Sequence, residues 1–339
     1  MITIDGSFGE GGGQIIRSSL ALSMITGKPV CIENVRAKRK KPGLRQQHVT
    51  AIRAAAAVSC ANVEGDEVRS SMVIFEPDKV SAGEYHFPIQ TAGSSTLVFQ
   101  TVLPALLTAD GPSHIRLEGG THNPMAPPFD FLVKCFTPVV SRMGPTIEFE
   151  FDRHGFFPAG GGRWSATINP SSTGLKRIEF HERGAIRKRQ ARALVSNLPD
   201  HITERELKTV GRKLGWPAKT LNAVRVESNG PGNVVMIEVE CDHITEMFTA
   251  CGEFNKKAEV VASEAVRACR SWLDSEAPVG EYLADQLLLP MAIAGGGSFR
   301  TTTMSLHTTT HIELIRRFLD VNFEVEERVA NDHLVTVLS

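Results

Sequence analysis

QLLLPMAIAGGG at Gln286–Gly297 superposes on QTVLPALLTADG at Gln100–Gly111, with Gln, Leu, Pro and the closing Gly in register. ALSMITG at Ala21–Gly27 matches ALLTADG at Ala105–Gly111 in the same way. Each segment reads as an apolar helix closed by glycine, and each is followed by a strand-like run: Val30–Val35, His114–Glu118 and Phe299–Met304. A loop and a second helical stretch come next each time. Self-similarity of this kind marks repeated supersecondary units. Three copies of a strand and two-helix unit put their loops at equivalent ends, so those loops are expected to converge.

The three loops have unusual chemistry. The first, RAKRKKPGLRQQH at Arg36–His48, has six Lys or Arg in its first ten residues, no acid between them and a Pro-Gly break. A solvated face is the default for such a run, but cations sharing a short loop with Gln47 and His48 favour an anionic polymer or a phosphate end. Arg36 and Arg39 are the forked-contact candidates, since a guanidinium matches phosphate oxygens. The second loop is THNPMAPPFD at Thr121–Asp130, and the third is SLHTTTHIE at Ser305–Glu313. His307 is expected at a strand end before a helix over Ile312–Leu319, where two readings are open: helix cap, or nucleophile and base.

A fourth element joins them. Met1–Asp5 reads as a strand running into GSFGEGGGQIIR at Gly6–Arg17, which opens the helix Gln14–Thr26. Backbone N–H groups at such a start suit an anion. The run is neither a Walker loop nor a dinucleotide fingerprint, because Gln14 stands where a third glycine would. Glu10 and Arg17 add charge to it.

The 339 residues exceed what one core usually serves, so two domains are expected. Apolar residues at 42% and charged residues at 22% exclude a disordered chain. A net charge of −1 hides the bunching of the cations. Six scattered cysteines without a C-x-x-C pair argue for a reducing cytoplasm and against a zinc site or disulfide framework. No leader and no apolar run of membrane length is read. From about Lys176 to Ser275 the repeat is interrupted by a small α/β domain: strands Arg177–His181 and Ala191–Asn197, a helix Thr203–Leu214 with a Thr203/Glu206 capping box, a hairpin turn at Gly230–Gly232, a strand Val234–Cys241 and a helix Lys256–Leu273. The domain expectation is 1–178 and 277–339 for the large domain, with 179–276 inserted.

Four segments then carry a resemblance to the RNA 3′-terminal phosphate cyclases: Gly6–Arg17, Arg36–His48, the signature RHGFFPAGGG at Arg153–Gly162, and EYLADQLLLPMA at Glu281–Ala292 followed by His307. The resemblance implies an α/β fold of three units, each a four-stranded sheet with two helices, related to the enolpyruvyl transferases and carrying a smaller inserted domain. It implies ATP-dependent conversion of an RNA 3′-phosphate end to a 2′,3′-cyclic phosphate, with release of AMP and pyrophosphate. His307 would carry AMP covalently. Gln100, Pro127, Tyr282, Leu283, Ala284, Asp285 and Gln286 would bind ATP, and Arg17, Arg36, Arg39, Gln47 and His48 the RNA phosphate. Glu10 would hold Mg²⁺ or Mn²⁺. One departure is Gln46, where some members have arginine, with Arg45 before it here. His311 is read as structural. A non-catalytic RNA-binding relative acting in ribosomal RNA processing is the alternative, but such relatives lack the histidine. An enolpyruvyl transferase is the second, and the RHGFFPAGGG signature speaks against it.

Overall fold

The structure, a computed structural model, describes all residues, Met1–Ser339. Its first unit runs β1 (Ile2–Asp5), α1 (Gly13–Thr26), β2 (Val30–Glu33), α2 (Gln46–Ser59), β3 (Asn62–Glu64) and β4 (Val73–Glu76). Strand β1 lies parallel to β2, β4 runs antiparallel to β2, and β3 covers the far edge, giving the order β1-β2-β4-β3. The parallel pair needs a crossover helix, which α1 supplies.

The second unit repeats this wiring. Strand β5 (Glu84–Pro88), α3 (Ser95–Leu106), β6 (Ser113–Gly119), a second helix, β7 (Thr146–Arg153) and β8 (Gly162–Asn169) form the sheet β5-β6-β8-β7. Its second helix is broken in register: α4 (Phe129–Phe131) passes through one π-helical stretch, Leu132–Phe136, into α5 (Thr137–Arg142). In β7 half-buried residues alternate with exposed ones, and in β8 buried residues alternate with more accessible ones, the period of a sheet with one covered face.

The third unit is split. Its first strand, β9 (Glu179–Phe180), pairs in parallel with β14 (Gly296–Thr301). Between them stand the insert and α8 (Glu281–Ile293), and α9 (Leu306–Phe318), β15 (Asn322–Val329) and β16 (Asp332–Leu338) complete the sheet β9-β14-β16-β15. Glu179 and Phe180, which the sequence reading gave to the insert, therefore belong to this sheet. Three units with one strand order bear out the fold expected from the repeat.

The insert has its own sheet, β11-β10-β12-β13, built from β10 (Ile186–Ser196), β11 (Leu221–Arg225), β12 (Gly232–Cys241) and β13 (Thr245–Cys251). Helices α6 (His201–Leu214) and α7 (Ala258–Asp274) pack against each other and against this sheet. Two local expectations fail here. Gly230–Gly232 does not close a hairpin, because β10 lies between β11 and β12. Thr203 and Glu206 do not form a capping box: α6 starts after Asp200, whose carbonyl accepts the Thr203 hydroxyl at 2.8 Å, and Glu206 turns inward to accept from Asn233 at 2.9 Å. Tertiary packing outweighs the local cap. All four sheets feed one apolar core of 82 buried residues. No helix is long and apolar enough to cross a membrane, and all six cysteines are free thiols.

Candidate active site

The first helices of the three units meet. Residues 14, 17, 18 and 21 of α1, 100, 103 and 104 of α3 with its C-cap Leu107, and 286, 289 and 290 of α8 line one cavity of about 80 Å³. Each set is an i, i+3, i+4 stripe, the face a straight helix offers to one neighbour. Gln100 and Gln286, the residues aligned by the internal repeat, bond to each other here.

At the rim of this cavity α9 begins. It starts at Leu306 and not at Ile312, because Ser305 caps it: the Ser305 hydroxyl accepts the Thr308 N–H at 3.2 Å. His307 consequently stands in the first helical turn, half-exposed, and is not itself the cap. Its ring is held by a relay. The Gln14 amide nitrogen donates to Asp285 Oδ1 at 2.7 Å and to the His307 carbonyl at 3.1 Å, two groups that only accept. That fixes which end of the amide is which, so Gln14 Oε1 faces His307 Nδ1 at 3.0 Å and accepts its proton. The lone pair is then on Nε2, which points into the site 4.0 Å from Glu10 Oε1. Burial lowers the pKa of His307, and Arg17 and Arg39 lower it further against the opposing pull of Asp285. A neutral imidazole with a free Nε2 is a nucleophile. His311, one turn on, bonds the Asp285 carbonyl at 2.9 Å and its carboxylate at 3.1 Å through Nδ1 and steadies the relay from behind.

The glycine turn brings two pairs of polar side chains beside His307. Glu10 contacts Arg39, whose Nη2 also donates to the Glu10 carbonyl at 2.9 Å. The Glu10 N–H is held by Thr310 of α9 at 3.0 Å. Glu10 Oε2 is buried with no hydrogen-bond partner. A Cβ on Gly12 would come within 2.4 Å of Glu10 Oε1 and 2.6 Å of Arg39 Nη2; one on Gly13 would come within 2.6 Å of Arg17 Nη1 and 2.8 Å of His48 Nε2. Both glycines make room for side chains. Helix α1 opens at Gly12 without a side-chain cap, so its first N–H groups remain available to an anion.

Arg17 and His48 form the second pair. Burial lowers the Arg17 pKa to about 10, partly offset by Asp285; the guanidinium stays charged. The Arg45 N–H donates to His48 Nδ1 at 3.0 Å, so the other nitrogen carries the proton and faces Gly13. Burial, with Arg17, Arg36 and Arg45 around it, pushes His48 down to about 3 and keeps it a neutral donor.

The remaining sequence candidates divide. Gln47 accepts the Ser94 N–H at 3.2 Å and ties the first unit to the second. Arg36 spends Nη1 on the carbonyls of Lys41 and Gly43, at 2.9 and 2.7 Å, and so braces the basic loop. Pro127 accepts the Thr96 hydroxyl at 2.7 Å at the head of α3. Tyr282 is exposed on the first turn of α8, and its carbonyl accepts from Gln286 at 2.9 Å. Leu283 and Ala284 are fully buried, so their side chains belong to the core. Gln14 escaped the sequence reading, which weighed that position only as a missing glycine; its helical place beside Arg17 was the available signal.

A family model described as RNA 3′-terminal phosphate cyclase matches residues 8–325. A protein of that name from Ectopseudomonas mendocina is 49% identical over 337 residues, covering 99% of this chain and 97% of its own. Another, from Koribacter versatilis, is 51% identical over 328 residues, 96% of this chain and 92% of its own. Among solved structures, an enolpyruvyl transferase from Streptomyces tendae aligns at a TM-score of 0.42 and 11% identity, over 98% of this chain and 47% of that one. A match over almost the whole length at half identity means that this chain belongs to the RNA 3′-terminal phosphate cyclase family.

Proposed function

We propose that the protein converts an RNA 3′-terminal phosphate to a 2′,3′-cyclic phosphate at the expense of ATP, with His307 as the covalent carrier of AMP. The observation that carries this is the Asp285–Gln14–His307 relay, which leaves Nε2 unprotonated beside a carboxylate and two guanidinium groups. Nε2 bonds to the α-phosphorus of ATP, the bond to the bridging oxygen breaks, and pyrophosphate leaves with the electron pair. The imidazolium that results keeps its Nδ1 proton on Gln14, backed by the Asp285 charge. An oxygen of the RNA terminal phosphate then displaces histidine from the AMP phosphorus. Arg17 and His48 hold that phosphate, both as donors. Last, the neighbouring 2′-hydroxyl attacks the terminal phosphorus, loses its proton, and AMP departs; ring closure within one nucleotide is favoured by proximity.

The family implies a divalent cation, and the residues fit one. Glu10 Oε2 is a buried carboxylate oxygen without a partner, and a Mg²⁺ or Mn²⁺ ion held by one carboxylate and substrate phosphates is the usual arrangement. The ion would screen the charge of the leaving pyrophosphate. Glu10 would orient it, and Arg39 would hold Glu10. Tyr282, Gln286 and Gln100 would contact the nucleotide, with Asp285 as hydroxyl acceptor or histidine orienter. The six free thiols fit a reducing cytoplasm.

The test is retention of acid-labile label from α-labelled ATP with Mg²⁺, followed by phosphatase resistance of a 3′-phosphorylated RNA. His307→Ala should abolish both. Equal labelling of the Ala variant would remove His307 as the nucleophile, and phosphatase sensitivity unchanged by ATP would remove the cyclase reading.

A further inference from the structure

A cleft of about 910 Å³ lies away from His307, between the signature loop of the second unit and the insert. Two bare aromatic rings stand in it, one from each side. Phe157 of the signature loop is 65% exposed and Phe254 of the insert 95% exposed. Large apolar rings left in water at a cleft need an occupant. Helices α6 and α7 both open into the same cleft without side-chain caps, through His201 and Lys257, and neither side chain is paired with an acid. The other charges are already neutralised: Arg205 by Glu259 at 2.7 Å, and Glu253 by Lys256 at 3.4 Å.

An independent sign of a ligand lies in the wall. Glu206 is fully buried, and while its Oε2 accepts from Asn233, its Oε1 has no partner although the residue lines the cleft. Burial raises its pKa to about 7, so the carboxyl is half-protonated near neutrality and can either donate or accept. Leaving a buried polar atom unmatched is unfavourable unless something completes it.

The signature loop connects the cleft to the basic loop through one turn. Phe156–Pro158 line the cleft, a Cβ on Gly160 of the same loop would lie 3.0 Å from the Thr91 carbonyl oxygen, and the Ser94 N–H donates to Gln47, the neighbour of His48 in the chain. Four residues span at most about 14 Å, a distance covered by a few nucleotides.

We propose that this cleft holds the single-stranded RNA that precedes the 3′-terminal phosphate, with bases stacked on Phe157 and Phe254, a base edge completing Glu206, and backbone phosphates at Lys257, His201 and the two helix starts. The assignment rests on the cyclase reading above. Aromatic faces with flanking cations suit a sequence-tolerant single strand, because every base has a π-face. A peptide partner would leave the cations and the link to Gln47 without use.

The experiment compares a 3′-phosphorylated dinucleotide with a 3′-phosphorylated 12-mer of unstructured RNA, in wild type, Phe157→Ala/Phe254→Ala and Lys257→Glu proteins. Wild type should show the lower KM for the 12-mer. The double variant should raise that KM about 5- to 150-fold, with the dinucleotide KM and self-labelling by ATP unchanged. Lys257→Glu should raise it too and flatten its salt dependence. If wild type treats the two RNAs alike, or the double variant leaves the 12-mer KM untouched, the cleft does not hold RNA. A dinucleotide that labelled protein fails to cyclise would instead sink the cyclase reading. Should the double variant lose labelling as well, Phe254→Ala alone, at a fully solvated ring, decides.

Discussion

Replacing Gln14 by glutamate tests the relay that, in the proposed mechanism, makes His307 a nucleophile. The substitution keeps size and shape but puts a carboxylate where Oε1 now sits, 3.0 Å from Nδ1. At an effective dielectric of about 20, a unit charge at that distance is worth roughly 5 kcal/mol, about four pH units. That is a ceiling. The new carboxylate would also lie against Asp285 Oδ1, now 2.7 Å from the Gln14 amide, and two carboxylates so close share a proton. The expected rise in the His307 pKa is therefore about 1–2 units. Nucleophilic attack needs the neutral ring, so the acid limb of self-labelling by ATP should move up by that amount. In wild type this limb lies below the ordinary histidine value, because burial lowers the pKa. At fixed acidic pH the variant should label roughly 10- to 100-fold more slowly than wild type, and it should recover as pH rises. Gln14→Leu separates charge from contact. It leaves Nδ1–H without an acceptor, which costs about 1–3 kcal/mol, and should slow labelling at every pH without moving the limb upward. Rates measured from pH 5 to pH 9 decide the matter: a glutamate variant whose acid limb overlays wild type refutes the contact between Gln14 and the ring.

Gly13→Ala should leave the fold intact, since position 13 is ordinary helix, yet its Cβ lands 2.6 Å from Arg17 Nη1 and 2.8 Å from His48 Nε2; RNA cyclisation should fall at least about 10-fold, the loss of one charge-assisted bond, while thermal unfolding barely shifts. Glu10→Gln should weaken the Mg²⁺ dependence of self-labelling, because it removes the charge of a carboxylate whose buried Oε2 has no other partner; an unchanged metal titration would discard Glu10 as a ligand. Glu246, buried in β13 and accepting the Gly280 N–H at 2.6 Å at the head of α8, has its pKa raised by burial to about 8. The folded state thus holds a proton that the unfolded chain releases near 4.5, so stability falls as pH rises from about 4.5 to about 8 and then levels, by at most about 5 kcal/mol. Glu246→Gln keeps the bond to Gly280 and removes that loss; denaturant midpoints at pH 5 and pH 8.5 should lie closer together in the variant than in wild type.

The fold was legible because the chain repeats itself. The register that aligns Gln100 with Gln286 is a register in space, since those two side chains meet. The basic loop and the glycine turn were legible by composition, and both lie at the site. What could not be read is what long-range packing decides. Arg36 looks like a phosphate ligand by type, but its Nη1 is used to brace the loop that carries it. Glu206 fits a capping box three residues after Thr203, but a bond to Asn233 on β12 draws it inward. His307 reads as preceding its helix because the β-branched run Thr308–Thr310 disguises the first turns; Ser305, a good cap, was the local signal. Gln14 lies 293 positions from the histidine it orients, a separation that periodicity cannot bridge.

The place of the insert explains why two of its contacts fall on the helices beside the site. It enters between the first strand and the first helix of the third unit, so its exit is the start of α8 and its β13 carries Glu246 to cap that helix. Lys134 in the broken helix of the second unit bonds Glu238 of β12 at 2.6 Å, and Asp130 at the head of the same helix pairs with Arg192 of β10. The insert is thus fastened at one side to α8, which carries Asp285, and at the other to the helix following the loop of Pro127. Fastened at those points, the insert would set the spacing between two units around the proposed nucleotide site. Charge-assisted bonds at the second fastening are worth about 1.5–3 kcal/mol. Removing Lys134 or Arg192 should therefore loosen nucleotide binding before it unfolds the protein, because the core of 82 residues does not depend on them.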